Sequence, residues 1–192
     1  QNNRALELTG SNRTAYRAIS PIEDGATGTV FLRMRRDASS DNSFGVTDVD
    51  APSTTSHSRA YVNNQNSDVL KVRDGGAFAD VGTWSEDVWQ CVWIVADNAA
   101  DRVTVYSQGG IYDELTRLPA GAEQTFGFRE SVTGSLDRFF WINGGNSAGR
   151  IMLDDVAVDP TGANLALPTG DPGNCESAAG SEQPLLNPLP DP

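Results

Sequence analysis

VFLRMRRD (residues 30–37) decides the fold, because it alternates with the period of a strand and carries its charge on one side. Side chains two apart share a sheet face. Val30, Leu32 and Met34, in phase with Arg36, therefore read as core-facing. Phe31, Arg33 and Arg35 take the opposite face. Under the same rule HSRAYVN (57–63) groups His57, Arg59, Tyr61 and Asn63, and VLKVRD (69–74) sets Lys71 and Arg73 against Leu70 and Val72. If these strands lie in one sheet, five cations, one phenol and the single histidine share a surface.

That surface runs against the background. The chain has 14 Lys+Arg and 26 Asp+Glu, for a net charge of −12. A cationic stripe in an acidic body suits an anionic, hydroxyl-rich ligand, whereas the overall charge disfavours nucleic acid, whose phosphates need a basic surface. High negative charge also maintains solubility in salty surroundings. The expected setting is therefore extracellular, bacterial and marine. No apolar run reaches the roughly 20 residues that span a bilayer, and no membrane partner is expected. No apolar leader opens the chain, so for an exported protein the numbering starts at or after the mature terminus.

Working outward, NRALELTG (3–10) and residues 14–19 read as two strands around a Gly-Ser-Asn turn, and SFGVTDV (43–49) as another. VWQCVWIVA (88–96) is the most hydrophobic run, a central strand buried on both faces, forming a hairpin with RVTVYSQ (102–108). TFGFRE (125–130), DRFFWIN (137–143) and RIMLDDVAVD (150–159) supply three more. Turn signals recur about every 10 residues, as in a sandwich or barrel. The expected architecture is all-β, about ten strands in two antiparallel sheets with no substantial helix. Residues 1–168 form the domain, and the Pro/Gly-rich 169–192 a linker or draped tail. Cys91, in the central strand, and Cys175, in the tail, form a disulfide in an oxidising compartment or else remain free thiols; we favour the disulfide.

NRALELTG, the run 88–110 and GRIMLDDVAVDPTG (149–162) together resemble concanavalin A-like, laminin-G-like jelly-roll domains, over residues 3 to about 168. The resemblance implies a first strand near the last, two packed sheets with sugars on the concave one, and a structural calcium near the closing strand. Asp154 and Asp155 are the matching carboxylates.

Three chemistries compete for such a fold. The paired glutamates of jelly-roll glycoside hydrolases, alternating on one strand, are absent. A polyuronate lyase needs a cation on the substrate carboxylate, a base and an acid. Arg33 or Arg35 would neutralise, His57 or Tyr61 would serve as base, and Tyr61 or Tyr106 as acid. The strand motifs of jelly-roll alginate lyases are only echoed here, which places a non-catalytic carbohydrate-binding module first. In that reading Arg33, Arg35, Arg59, Lys71 and Arg73 pair with carboxylates or sulfates of an acidic polysaccharide, Tyr61 and Tyr106 contact sugar rings, and Asn63 binds hydroxyls. A laminin-G-like adhesion domain is the further alternative, and attachment to additional domains is expected. Among the tryptophans, Trp89, Trp93 and Trp141 read as core and Trp84, in GTWSED, as the exposed candidate.

Overall fold

A computed structural model describes residues 5–8, 13–37, 41–64, 68–144, 150–166 and 175. The described strands are β1 (Leu6–Glu7), β2 (Arg13–Ile22), β3 (Thr27–Arg36), β4 (Asn42–Thr47), β5 (Ala60–Asn63), β6 (Val69–Asp74), β7 (Ala77–Thr83), β8 (Gln90–Asp97), β9 (Arg102–Gly109), β10 (Tyr112–Leu118), β11 (Phe126–Gly127), β12 (Leu136–Asn143) and β13 (Ile151–Asp159). A single 3₁₀ turn at Thr55–His57 is the one helical element among the described residues. The strands form two antiparallel sheets, ordered β1-β13-β3-β8-β9-β10 with β11 also on β9, and β2-β12-β4-β5-β6-β7. This is the jelly-roll sandwich, with the first strand on the last: Leu6 pairs with Leu153.

Alternation builds the space between the sheets. Val30, Leu32 and Met34 of β3 align with Ile94, Val92 and Gln90 of β8, and Ile94 continues to Val105 of β9. Opposite them stand Phe44, Val46, Val62, Val72 and Trp141 from the six-stranded sheet, all fully buried. At about 25 cal/mol per Å² of apolar surface, this shared layer is the main stabilising term. Trp141 fits because its Nε1 donates to Asn42 Oδ1 at 2.8 Å, so the indole brings no unpaired donor into the core.

The central strand β8 is buried on both faces, as its composition demands, because the chain after β13 folds back over its outer side. Thr29 Oγ1 donates to Gly162 O at 2.7 Å and accepts from Asn164 N–H at 2.9 Å. Leu165 packs on Phe31 and Trp93, and Cys175 is disulfide-bonded to Cys91. The disulfide expectation therefore holds; the rest of 169–192 lies outside the described residues.

Four expectations need correction. His57 ends the 3₁₀ turn and strand β5 starts only at Ala60, because His57 N–H to Thr54 O and Ser58 N–H to Thr55 O close a local turn first. Trp84 is 2% exposed, packed 6.0 Å from Phe44 between the sheets. Trp93 is buried as expected, in a cluster under the returning chain on the outer face, whereas Trp89, also read as core, is only half-buried with its ring against Arg33. Strands β7 and β10 were not anticipated. β10, YDELTRL, has a composition that favours helix, yet Gly109 and Gly110, with φ of 95° and 63°, turn the chain tightly enough to lay it beside β9.

Candidate functional site

The cationic stripe does not lie on one surface. β3 belongs to the seven-stranded sheet and β5 and β6 to the six-stranded one, so their outward faces point to opposite sides of the sandwich. Arg33, Arg35 and Tyr106 occupy one side, and Arg59, Tyr61, Asn63, Lys71 and Arg73 the other. Alternation fixed the face of each residue relative to its own sheet. It could not assign the strands to sheets.

On the first side, Arg33 is inserted between Trp89, whose ring centroid is 4.6 Å away, and the carboxylates of Asp154 (3.8 Å) and Asp155 (3.4 Å). Asp155 sits at φ 51° within a bulge of β13. These two carboxylates do not fit a calcium ion. Calcium takes six or more oxygens, whereas Arg33 already supplies the opposing charge and no third acid, histidine or cysteine joins them among the described residues. Arg35 reaches Asp87 at 3.4 Å, and Tyr106 is half-buried against Phe31, Cys91 and Trp93. This side is ion-paired and covered.

The second side is assembled by register. Tyr16 pairs with Phe140, Phe140 with Gly45, and Gly45 with Tyr61, while Arg73 pairs with Phe78 at the far margin. A row with rings on four of its six strands thus crosses the sheet, whose strands are about 4.8 Å apart. Gly45 interrupts it because a Cβ there would meet Ala60 O and lie 2.6 Å from Tyr61 Cβ. The rings of Tyr61 and Phe140 close over the gap, 6.2 Å apart edge to face.

Residues 48–58 fold across the β2–β12–β4 half of this face. Arg138 Nη2 donates to Asp50 Oδ1 at 2.7 Å, Thr14 Oγ1 to Ser53 O at 3.5 Å, and Pro52 is buried beneath. His57 belongs to this cover, its Nδ1 accepting from Ser53 N–H at 3.2 Å, and is a loop-stabilising group rather than a neighbour of Tyr61 on the sheet. Arg59, at the loop's end, is held between Asp48 (2.7 Å) and Glu130 (3.1 Å). Asn63 spends its amide protons on Asp41, Asn42 O and Ser43 Oγ.

The β6–β7 part remains open, whereas Tyr61 of β5 is fully buried beside it. Phe78 is 37% exposed, its ring edge-on to Tyr61 at 6.2 Å and covered on one side by the Arg73 guanidinium at 4.7 Å. Arg73 is steered by the carbonyls of Gly75 (2.8 Å) and Gly76 (2.6 Å). From the chain after β11, Arg129 donates to Thr55 O at 2.9 Å and to the Tyr61 hydroxyl at 3.4 Å. Neither Arg73 nor Arg129 has a carboxylate partner among the described residues. Lys71 meets Asp80 at 2.9 Å, but Asp80 is mostly exposed and such a pair is weak and easily exchanged. Burial raises the Tyr61 phenol above its ordinary value, with the charges of Arg129 and Arg73 pulling the other way. The phenol is therefore protonated at neutral pH, a donor and not a base.

Phe78 and Arg129 were not anticipated. Alternation in AFADV (77–81) places Phe78 opposite Ala77, Ala79 and Val81, which was a legible signal. Arg129 follows a two-residue strand and has no periodicity to reveal it.

No protein family matches the chain by sequence, and no curated protein does either. Solved structures match its fold. A sialidase aligns with a TM-score of 0.58 at 12% identity over 76% of this chain, which spans only 14% of that protein. Trypanosoma rangeli sialidase, solved with 2,3-difluorosialic acid, gives 0.56 at 14% identity over 84% of this chain and 26% of its own length. The exoplasmic/lumenal domain of VIP36, solved with Ca²⁺ and Man3GlcNAc, gives 0.55 at 8% identity over 84% of this chain and 80% of its own. The chain has the concanavalin A-like sandwich fold that the first, central and closing segments suggested.

Proposed function

We propose that this domain binds an acidic polysaccharide on the open half of the outer face of the six-stranded sheet. The observation that carries the reading is the placement near Tyr61 of two guanidiniums without carboxylate partners among the described residues, Arg129 on its hydroxyl and Arg73 over the half-exposed ring of Phe78. A sugar stacks its C–H face on Phe78 while its carboxylate or sulfate is taken by one or both arginines. Lys71 adds a third cation when it leaves Asp80. VIP36, which shares the fold, was solved with an oligosaccharide bound, and T. rangeli sialidase with sialic acid, itself a carboxylate sugar. The disulfide supports a secreted protein, since such bonds persist in oxidising compartments. The Pro-rich residues after 168 suit attachment to a larger polysaccharide-degrading protein of a marine bacterium.

Titration with polygalacturonate, alginate and a sulfated galactan at low salt, with a neutral glucan as control, tests this reading. Phe78→Ala and the pair Arg73→Gln, Arg129→Gln each weaken the acidic ligands roughly tenfold or more. Wild-type affinity falls with added salt, because an exposed charge contact is screened. Binding of the neutral glucan alone, or of none, overturns it.

A second reading is a polyuronate lyase at the same place, favoured by one observation: the protonated Tyr61 hydroxyl, fully buried in this structure, accepts from the Arg129 guanidinium, so an acid stands next to a neutraliser once a ligand uncovers it. Elimination leaves an unsaturated uronide absorbing in the near-ultraviolet. A flat absorbance trace across the same polyuronates removes this reading and leaves binding intact.

A further inference from the structure

Among the described residues the sandwich is open along one side. β1 and β2 are the free margins of the two sheets there, and β1 contributes only Leu6 and Glu7. The neighbouring strand β13 loses its register with β3 between Asp154 and Ala157, along the stretch that borders the hollow beside β2. Between them lies a hollow of about 260 Å³ walled by Leu6, Tyr16, Phe139, Leu153 and Val156. A second, of about 320 Å³, shares Arg17, Phe139 and Val156 and runs on to Ser20 and Val158. Together they make a slot alongside β2 from Ala15 to Ser20, about 17 Å at roughly 3.3 Å per residue.

Leu6 and Tyr16 are each 52% exposed at its mouth, among the most exposed large apolar side chains described. The charges are arranged along the slot and not scattered. Arg17 stands where the two hollows meet and has no carboxylate partner among the described residues. Asp154 and Asp155, both facing Arg33, close the far end of the first hollow. An anion is thus drawn to Arg17. The apolar body of the same molecule is accepted between Arg17 and that far end. A polysaccharide does not suit the first hollow, whose walls are mostly side-chain carbon where sugar hydroxyls need partners.

We propose that the slot is a second ligand site, separate from the polysaccharide face, for a single-chain alkyl carboxylate. Its head is held by Arg17, and its chain lies against Phe139, Val156 and Leu153. A cavity of ~150 Å³ accepts benzene, so the first hollow takes a chain of about ten carbons.

The test is titration of the intact protein with decanoate below its micelle concentration, followed by calorimetry and by chemical-shift changes at Leu6 and Val156. Saturable one-site binding is expected, weakened roughly tenfold in Arg17→Glu, with decanol binding more weakly than decanoate in the wild type and no more weakly in the variant. Val156→Trp fills the slot and abolishes binding while keeping a cooperative melting transition; should it fail to fold, Arg17→Glu decides alone. Absence of saturable binding, or equal affinity in wild type and Arg17→Glu, overturns the proposal. Phe78→Ala leaves decanoate binding unchanged, and Arg17→Glu leaves polysaccharide binding unchanged, so the two sites fail independently.

Discussion

Arg33 stacks on Trp89 with 4.6 Å between guanidinium carbon and ring centroid, and its other side faces both carboxylates of the β13 bulge. The side chain is 94% buried, and its Nε and Nη1 find no hydrogen-bond acceptor of good geometry. Charge and stacking hold it rather than a tight network. Removing it leaves two acidic side chains crowded without their cation. Arg33→Ala is expected to destabilise by about 3 kcal/mol, the scale for breaking a buried pair. Arg33→Met keeps the stem's packing but not the charge. Adding Asp154→Asn and Asp155→Asn to it restores most of the loss, as chemical denaturation of the four proteins would measure; Arg33→Met as stable as wild type beside a destabilised Arg33→Ala means the stem's packing, not the charge, is what Arg33 supplies.

The Cys91–Cys175 bond closes a loop of 84 residues and clamps the returning chain over Phe31 and Trp93. A loop of that length contributes up to about 4 kcal/mol by restricting the unfolded chain. At roughly 2–4 °C per kcal/mol for a domain of this size, reduction lowers the melting temperature by about 10 °C. Trp93 is 1% exposed beneath the clamp and donates to Ala166 O at 3.5 Å. Its fluorescence shifts to the red on reduction if the clamp lifts. An unchanged spectrum with a lowered melting point assigns the whole effect to the unfolded state.

How far the sequence could be read follows from the range of each signal. Alternation is local, and it correctly put Val30, Leu32 and Met34 inside and Arg33 and Arg35 outside, because a pleat fixes faces within a strand. Sheet membership is set by pairings far apart in sequence, such as Phe44 with Trp141. So the same alternation wrongly merged Arg33 with Lys71. The continuous hydrophobicity of 88–96 was legible as double burial, although the covering element, the chain at 159–166, carries only Leu165 as an apolar signal. His57 reads as continuing a strand because His-x-Arg-x-Tyr keeps the period; the turn at Thr55 that interrupts it is held by backbone groups, which leave no mark on side-chain pattern. Five of the expected ligand residues do share one face, and Arg129 joins them through a connection no periodicity describes.

Tyr61 gives a pH test with a definite sign. Its phenol is raised by burial, so between about pH 10, where the unfolded chain ionises, and the higher folded value the native state holds a proton that the unfolded state has lost. Stability present below pH 10 is therefore lost as pH rises toward the folded value. Tyr61→Phe removes that alkaline loss and deletes a late phase from the phenolate absorbance titration. If the titration of the variant matches wild type through its last phase, Tyr61 is not held neutral by its surroundings.

Gly45 is the position on which the open face depends most directly. It lies between Phe140 and Tyr61 in the row, and its conformation is ordinary extended backbone; the requirement is space. An added methyl meets Ala60 O of the adjacent strand and approaches Tyr61 Cβ to 2.6 Å, and neither backbone nor a Cβ can move without separating β4 from β5. Gly45→Ala should cost about 1–3 kcal/mol, the range for overpacking a well-filled site, and lower the melting temperature by a few degrees. Because Tyr61 is the group displaced, the change propagates to its contacts with Arg129 and Phe78. Affinity for acidic polysaccharide then falls in Gly45→Ala although the methyl touches no ligand. The same substitution leaves decanoate binding at the opposite margin of the sheet unaltered. A variant that melts earlier yet binds polysaccharide as wild type would place the ligand away from Tyr61, on Phe78 and Arg73 alone.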